Sequence, residues 1–193
     1  MREPPPENRS DTVRYAPRAV EDDAWIESLL LEEPMGVVGL VDDGSPYLVN
    51  QLFVYDPEAA AIYFHGAHTG KTRRLVEGEG STDACLTVSR MGRLLPAEMP
   101  VDFDVEYESV VVYGTVDLVK GEEAKRAVLE QIMAKFAPQM APGEDYEPIA
   151  DASIERTSVY RLDVEGWSGK ENEIGQAFEG AYDYDAVREA GTD

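Results

Sequence analysis

Three short apolar segments joined by tight turns constrain the fold of this chain more than any other feature of its sequence. They cover residues 36–41, 47–55 and 60–64, and the two connections between them contain aspartate, glycine and proline. These residue types favour turns because they adopt or preset turn backbone conformations. Connections this short join antiparallel strands, since a parallel pair needs a crossover of about a dozen residues. The pattern therefore predicts an antiparallel meander.

The rest of the chain adds three predicted strands and three predicted helices. The strands, rich in β-branched and apolar residues, cover residues 83–89, 103–119 and 157–167. The helices cover residues 20–32, 71–78 and 122–136. Gly114 is expected to mark a bulge, and Thr69 is a candidate cap for the second helix. About six antiparallel strands with few helices predict a mainly β fold, a closed or partly closed barrel with flanking helices.

The same pattern predicts one domain with two extensions. An extended arm rich in proline and charge covers residues 1–18, the barrel domain covers residues 19–172, and an acidic tail covers residues 173–193. Residues 90–100 contain glycine and two prolines, so they are predicted to form an irregular connection between strands. Side chains fill a barrel of this size, which leaves the rim or an interface for a ligand.

The net charge of the chain limits the classes of function that it can have. The chain has 39 acidic and 17 basic residues, a formal net charge of -22 spread along its length. A diffuse acidic surface of this kind is typical of proteins from salt-loving organisms, and it argues against nucleic-acid binding, which needs a basic face. The sequence contains no apolar run of membrane-spanning length, and Cys85 has no second cysteine to pair with. A cytoplasmic location, away from membranes, is therefore expected.

One loop stands out against this acidic background. Lys71, Arg73 and Arg74 lie within four residues, directly after a glycine-containing turn that also holds both histidines of the chain, His65 and His68. Glycines expose backbone N–H groups, a following helix adds its positive dipole end, and cations complete an anion cradle. The loop therefore predicts an anion site, with phosphate as the first candidate.

The loop and its surroundings allow other interpretations. Residues 66–72 read G-x-x-x-G-K-T, one residue shorter than the P-loop pattern, and the antiparallel meander before them argues against a P-loop fold. A solvated basic turn after a hairpin is the plainest alternative. His65 and His68 are spaced i, i+3 without a cysteine nearby, which gives weak support for a metal site. Ser109 has no evident base partner, so no catalytic residue is assigned.

Four segments, in this order along the chain, carry a resemblance to a known family. They are Pro-Tyr-Leu-Val-Asn from position 46, Ile-Tyr-Phe-His from 62 with Thr-Gly-Lys from 69, Tyr-Glu-Ser-Val-Val-Val-Tyr-Gly-Thr from 107, and Ser-Gly-Lys from 168. The set resembles the FMN-binding split β-barrels related to pyridoxamine 5′-phosphate oxidase. Within them it is most similar to the 5-nitroimidazole-resistance (Nim-type) branch. The resemblance spans residues 25–170.

The resemblance implies FMN as cofactor, a homodimer with the flavin at its interface, and a set of site residues. The isoalloxazine ring would lie along Leu48, Val49, Asn50 and Gln51, with Phe64 and His65 beside the ribityl chain. The FMN phosphate would be bound by Thr69, Gly70, Lys71 and an arginine, either Arg73 or Arg74. His68 is a candidate substrate contact. Relatives of this barrel that bind a deazaflavin or haem leave the identity of the cofactor open.

The implied function is an FMN-dependent oxidoreductase acting on a small organic acceptor, for example a nitro compound. The alternative is a dimeric binding protein that holds FMN without catalysis or has lost the flavin. Oxidation of pyridoxamine phosphate is not expected, because Gly70 stands where the oxidases carry an arginine before the lysine. The chain also lacks the arginine-containing C-terminal segment with which those oxidases bind the substrate phosphate.

Overall fold

A ring of six antiparallel strands forms the body of the protein in the computed structural model, which describes residues 13–78, 81–175 and 178–190. Within these described residues there are seven strands: β1 (Ala19–Val20), β2 (Met35–Asp42), β3 (Ser45–Asp56), β4 (Ala61–Ala67), β5 (Thr82–Leu95), β6 (Asp104–Leu118) and β7 (Thr157–Asn172). The helices are α1 (Asp23–Glu32), α2 (Lys71–Val76), α3 (Glu122–Phe136), α4 (Asp151–Glu155) and α5 (Tyr184–Ala190). None of these helices is long and apolar enough to cross a bilayer.

The sheet closes on itself. Its order is β7-β4-β3-β2-β5-β6, and β6 pairs back with β7. The two-residue strand β1 extends the sheet beyond the ring by pairing with the later half of β7. It lies at the boundary of the predicted arm, and a strand of two residues leaves no periodic signal in a sequence. The predicted mainly β barrel with flanking helices is confirmed, and most of the predicted arm, residues 1–12, lies outside the described residues.

The turns of the meander follow from their residues. Asp43 and Gly44 connect β2 to β3 and both have positive φ, 50° and 77°. Two central residues with positive φ form the hairpin turn whose twist matches the flanking strands, and Asp-Gly favours it. Between β3 and β4, the Asp56 carboxylate accepts a hydrogen bond from the backbone N–H of Ala59 at 3.0 Å. Both predicted turns are therefore confirmed.

Strand β5 is longer than the sequence predicts. It continues to Leu95, through residues interpreted as an irregular connection, so that prediction is wrong for residues 90–95. A register shift between Met91 and Leu94 absorbs the glycine at position 92. Arg93 then donates two hydrogen bonds to the Glu106 carboxylate, at 2.7 and 2.6 Å, which holds the pairing and lowers the pKa of Glu106 to about 2. Glycine signals a turn in sequence, whereas here it occupies a bulge.

Two apolar layers enclose the sheet. Inside the ring, side chains from all six strands form the main core, and α1 adds Ile26, Leu29 and Leu30 to it. Outside the ring, α3 packs Val128 and Ile132 against β3, β4 and β7 in a second cluster. The interior is filled by side chains, as expected for a small barrel, so a ligand site has to lie on the outer surface.

The β6–β7 closure depends on Gly114. The register between these strands shifts at Tyr113 and Gly114, which confirms the predicted bulge. A Cβ atom on Gly114 would lie 1.9 Å from the backbone oxygen of Asp163, a contact that only backbone movement could relieve. The close approach of the two backbones therefore requires glycine at this position.

We expect Gly114→Ala to destabilise the protein by about 3 kcal/mol or more, because overpacking against backbone cannot be relieved by a rotamer change. Urea unfolding followed by circular dichroism measures the change. Gly166→Ala is the matched control on the facing strand β7, since no atom lies within 4 Å of its added Cβ. Equal losses in the two variants would contradict the assigned role of Gly114.

Candidate cofactor-binding site

One edge of strand β3 is open where the sequence places the site. Strand β2 pairs with residues Ser45 to Leu52, whereas β4 pairs only with residues Phe53 to Asp56. Peptide groups of an antiparallel strand point alternately to its two neighbours. Along Ser45–Leu52, the groups that point away from β2 have no backbone partner among the described residues. This split in the ring leaves backbone donors and acceptors of the predicted segment 48–51 available to a ligand.

The exposed face beside this edge is apolar. Leu48 and Leu52 are 67% and 44% exposed, and Asn50 lies between them on the same face. Val49 packs against the core on the opposite face. Gln51, which is half-exposed, points to the same face as Val49, because alternate residues of a strand share a face. A flat ligand on this edge would therefore meet leucine side chains on its face and peptide groups along its rim.

His65 lies on the same outer face. Val54 and Tyr63 are directly opposite each other, and two residues further along each strand, toward the open edge, come Leu52 and His65. The Nδ1 atom of His65 is buried and has no hydrogen-bond partner in the part of the chain that the structure describes. Burial lowers the pKa of His65, which favours the neutral imidazole. An unpartnered buried nitrogen beside the open edge is a feature that a bound ligand would satisfy.

Phe64 has a different environment. Its side chain is fully buried inside the ring and stacks on Tyr160, with ring centroids 4.9 Å apart and an interplanar angle of 18°. The side chain therefore belongs to the core, although the residue lies next to the predicted site. Strand alternation separates Phe64 from His65, because successive side chains point to opposite faces.

The loop before α2 has the backbone that glycine allows. Gly70 is the residue preceding the helix, with φ 117° and ψ -176°, a conformation that L side chains rarely adopt. No side chain caps the helix, so the predicted cap by the exposed Thr69 is wrong: Gly70 occupies the cap position. No atom lies within 4 Å of a Cβ placed on Gly70, so the space beside it is open. Since α2 has only six residues, side-chain cations rather than its dipole would hold an anion here.

Lys71 is directed toward the β2–β3 hairpin. Its ammonium lies 2.8 Å from a carboxylate oxygen of Asp42 and 4.7 Å from the centroid of the Tyr47 ring. The hydrogen bond from Lys71 lowers the pKa of Asp42, and the positive charge of Arg74 acts in the same direction. Arg74 is exposed and lies three residues after Lys71, on the same side of the helix. Lys71 and Arg74 therefore form one positive group close to the start of β3.

Arg73 is directed to the other side of α2. Its guanidinium donates to the Glu77 carboxylate at 2.7 Å and to the Ser158 hydroxyl at 3.2 Å. Its Nε atom is buried and has no hydrogen-bond partner within the described residues. The three cations that are adjacent in sequence are thus divided by the helix. The geometry favours Arg74 over Arg73 as the partner of Lys71.

His68 fixes the loop to β7. Its backbone N–H and its Nδ1 atom both bond the backbone oxygen of Arg156, at 3.2 and 3.1 Å. Because a carbonyl only accepts, Nδ1 carries the proton in this contact. No group of three or more histidine, cysteine, aspartate or glutamate side chains that could hold a metal ion occurs in residues 13–78, 81–175 and 178–190. The structure therefore gives His68 a role in holding the loop.

Sequence reasoning missed three residues that shape this site: Asp42, Tyr47 and Ser158. Asp42 and Tyr47 contact Lys71, and the Tyr47 hydroxyl also lies 3.2 Å from the hydroxyl of Thr72. Asp42 ends β2, and Ser158 is more than eighty positions beyond the loop. Contacts over such separations leave no local sequence signal. The open edge, the unpartnered His65 nitrogen and the Lys71–Arg74 group together fit a flat heterocycle that carries a phosphate.

Comparisons with solved structures agree with the fold. The flavocytochrome Anf3 from Azotobacter vinelandii aligns with a TM-score of 0.75 at 25% identity, over 95% of this chain and 80% of that chain. The FAD and heme binding protein from Mycobacterium smegmatis gives 0.72 at 21% identity, over 90% and 80%. A putative 5-nitroimidazole antibiotic resistance protein from Bacteroides thetaiotaomicron gives 0.64 at 23% identity, over 80% and 90%.

Comparisons at the level of sequence identify the family. Curated protein sequences give no significant match. The family model described as pyridoxamine 5′-phosphate oxidase matches residues 22–171, which covers the whole ring of strands and the candidate site. This match confirms the resemblance seen in the sequence. The chain belongs to the pyridoxamine 5′-phosphate oxidase family.

Proposed function

We propose that the protein binds FMN on the outer face of the ring, along the open edge of β3, and acts as a flavin-dependent oxidoreductase. The observation that carries the proposal is the unpaired edge of β3 ending beside Lys71 and Arg74, in a chain of net charge -22. Family membership supports the proposal. So does the 25% identity to a protein named as a flavocytochrome.

The phosphate end of the site consists of the loop before α2. Lys71 has three ammonium N–H groups, so it can keep its contact with Asp42 while donating to a phosphate oxygen. Tyr47 positions the ammonium through its ring face, and the open space at Gly70 lets the phosphate approach the backbone. Arg74 adds charge, and Thr69 adds a hydroxyl from the same loop. These charge-assisted hydrogen bonds are the strong ones in such a site.

The ring end of the site consists of β3 and His65. Peptide groups of residues 48–51 would bond the polar rim of the flavin, and Leu48 and Leu52 would cover its apolar face. The unpartnered Nδ1 atom of His65 would form one hydrogen bond with the cofactor. The imidazole would be neutral in this contact, because burial lowers the pKa of His65. When bound, the flavin supplies the redox chemistry itself, while the protein binds and orients it.

The acceptor is a small organic molecule, with nitro compounds as the class to test first. The function that competes with this one is FMN binding without turnover, or a protein that has lost the flavin. Anaerobic reduction of the purified protein by NADH or NADPH, followed by addition of a nitroaromatic, separates these functions. Reoxidation of the flavin with loss of the nitro absorbance supports the enzyme. A flavin that neither nicotinamide reduces, or that is not reoxidised by the nitroaromatic, supports the carrier.

We further propose that a second copy of the chain covers the flavin. Apolar side chains that are exposed in the single chain share the outer face of β2 and β3: Met35 (54%), Val41 (58%), Leu48 (67%) and Leu52 (44%). Their strand pairing places Met35 opposite Leu52. Contiguous exposed apolar surface of this kind marks an interface. A symmetric dimer through this face would bury it and exclude water from the adjacent cofactor site.

A salt-rich cytoplasm is the setting that we infer from composition. The chain carries 39 acidic and 17 basic residues and a single cysteine, Cys85. Like charges at this density repel one another in the folded state, and dissolved salt screens that repulsion. Screening is therefore expected to be part of what keeps the fold stable.

Lys71→Ala should weaken FMN binding by about tenfold or more, because it removes a charge-assisted hydrogen bond worth roughly 1.5–3 kcal/mol. The wild-type protein should be yellow or become so with added FMN, and quenching of flavin fluorescence on titration gives the affinity. Lys170→Ala is the matched control, since Lys170 is exposed and outside the site. A colourless wild-type protein that no FMN reconstitutes would rule out the proposal.

Leu48→Glu should convert the dimer to a monomer, because it places like charges and unpaired carboxylates in an apolar interface. Sedimentation velocity of the wild type and the variant measures the change. Leu31→Glu makes the same substitution at a leucine of α1 that is 49% exposed and outside this face. The proposed interface is wrong if the wild type is monomeric or if Leu48→Glu leaves the dimer intact.

Raising KCl from about 0.1 M to about 1 M should increase the melting temperature by several degrees, because the screening length falls from about 10 Å to about 3 Å. Differential scanning calorimetry measures the shift. Sucrose at equal osmolarity is the control, since it does not screen charge. A melting temperature that stays constant or falls with KCl would contradict the inferred salt dependence.

A further inference from the structure

A cavity of about 590 Å³ lies between the end of α2, the end of β6 and the start of α3, on the Arg73 side of α2. The cavity is lined by three cations, Arg73, Lys120 and Lys125. Two carboxylates, those of Glu77 and Asp117, also line it. The side chains that line it therefore sum to a positive charge, although the chain as a whole is strongly negative.

Both carboxylates in this cavity are already bound. Glu77 accepts a hydrogen bond from Arg73 at 2.7 Å, and Asp117 accepts one from the hydroxyl of Ser81. Lys120 and Lys125 have no carboxylate partner among the described residues. They are two of the five lysines in the chain. Two lysines without a carboxylate partner that line the same cavity, in a protein this acidic, indicate a site that attracts anions.

Several hydrogen-bond donors of the cavity are unused. Lys125 donates once, to the backbone oxygen of Thr157 at 3.2 Å, which leaves two ammonium N–H groups. The Nε atom of Arg73 is buried and has no described partner. Gly121, with φ 87°, precedes the fifteen-residue helix α3, and no side chain caps the N–H groups of its first turn. Side chains with ammonium and guanidinium donors thus line one cavity, and the start of α3 lies beside it.

We propose that this cavity binds a phosphoryl group distinct from the one held by Lys71 and Arg74. A phosphoryl group offers several acceptor oxygens and up to two negative charges, which match a cluster of cationic donors. Arg73 is available for it because α2 directs this residue away from Lys71. The volume exceeds that of a single phosphate, so the cavity has room for a larger phosphorylated molecule or a diphosphate.

Two sources of this phosphoryl group share the same chemistry. One is the diphosphate of the nicotinamide dinucleotide that would reduce the flavin; this source rests on the proposed function. The other is a free phosphate ester that binds independently of flavin. The experiment is therefore designed with one arm for the cavity itself and one arm for each source.

Inorganic pyrophosphate is the probe for the cavity, titrated into the full-length protein by isothermal titration calorimetry at low ionic strength. Lys120→Gln/Lys125→Gln should weaken binding by about tenfold or more, since hydrogen bonds to charged groups are lost. Arg14→Gln/Lys170→Gln removes the same net charge at two exposed residues that do not line the cavity. It should leave pyrophosphate affinity within about twofold.

FMN and NADPH affinities of the same three proteins identify the source. Unchanged FMN affinity in Lys120→Gln/Lys125→Gln shows that the variant is folded and that the flavin phosphate lies elsewhere. A loss of NADPH affinity that parallels the loss for pyrophosphate assigns the cavity to the dinucleotide. Unchanged NADPH affinity with weakened pyrophosphate binding assigns it to a free phosphate ester.

The proposal is overturned if the wild type does not bind pyrophosphate, or if both double variants lose affinity equally. It is also overturned if Lys120→Gln/Lys125→Gln binds pyrophosphate as tightly as the wild type. A wild type that binds pyrophosphate in this cavity but never binds FMN would contradict the proposed function alone. The two failures are therefore distinguishable.

Discussion

The closure of the ring through β7 is the interaction on which the rest of the structure depends. Residues Tyr160 to Asp163 pair with β4 on one side and with β6 on the other, so these few residues join the two ends of the meander. Closure pairs the two end strands of the sheet with each other, which reduces the aggregation hazard of an open sheet. The close passage of β6 over Asp163 is available only to the glycine at position 114. Once the ring is closed and filled, a ligand can be held only on its outside.

The candidate site exists because the closure is incomplete at one strand. Strand β3 changes partners at Leu52 and Phe53, and the half that pairs only with β2 exposes peptide groups to the outside. The twist of a small barrel explains such a split, since long strands diverge from their neighbours unless a bulge or a partner change relieves the strain. The same exposed half carries the apolar side chains that the proposed dimer would bury. One break in hydrogen bonding thus connects the candidate site and the proposed dimer interface.

Helix geometry decides what the cationic loop can do. Lys71 and Arg74 are three residues apart and share one side of α2, whereas Arg73 and Glu77 are four apart and share another. Asp42 holds Lys71 in place on the first side, and Ser158 and Glu77 hold Arg73 on the second. Three cations that look like one cluster in the sequence therefore serve two surfaces. Because of this division, Arg73 lines the cavity between the end of α2, the end of β6 and the start of α3.

The sequence by itself determined the strand order of the meander, its turns, the bulge at Gly114 and the family, because these depend on local periodicity, on turn chemistry and on short ordered motifs. It also located the scarce cations of the loop before α2. It was wrong at residues 90–95, where glycine in a bulge looks like glycine in a turn, and at Thr69, because a cap depends on backbone angles. Only the tertiary structure decided which arginine accompanies Lys71, that Asp42 and Tyr47 position it, and that β3 has an open edge. Those facts follow from packing between residues distant in the chain, and local sequence patterns do not encode such contacts.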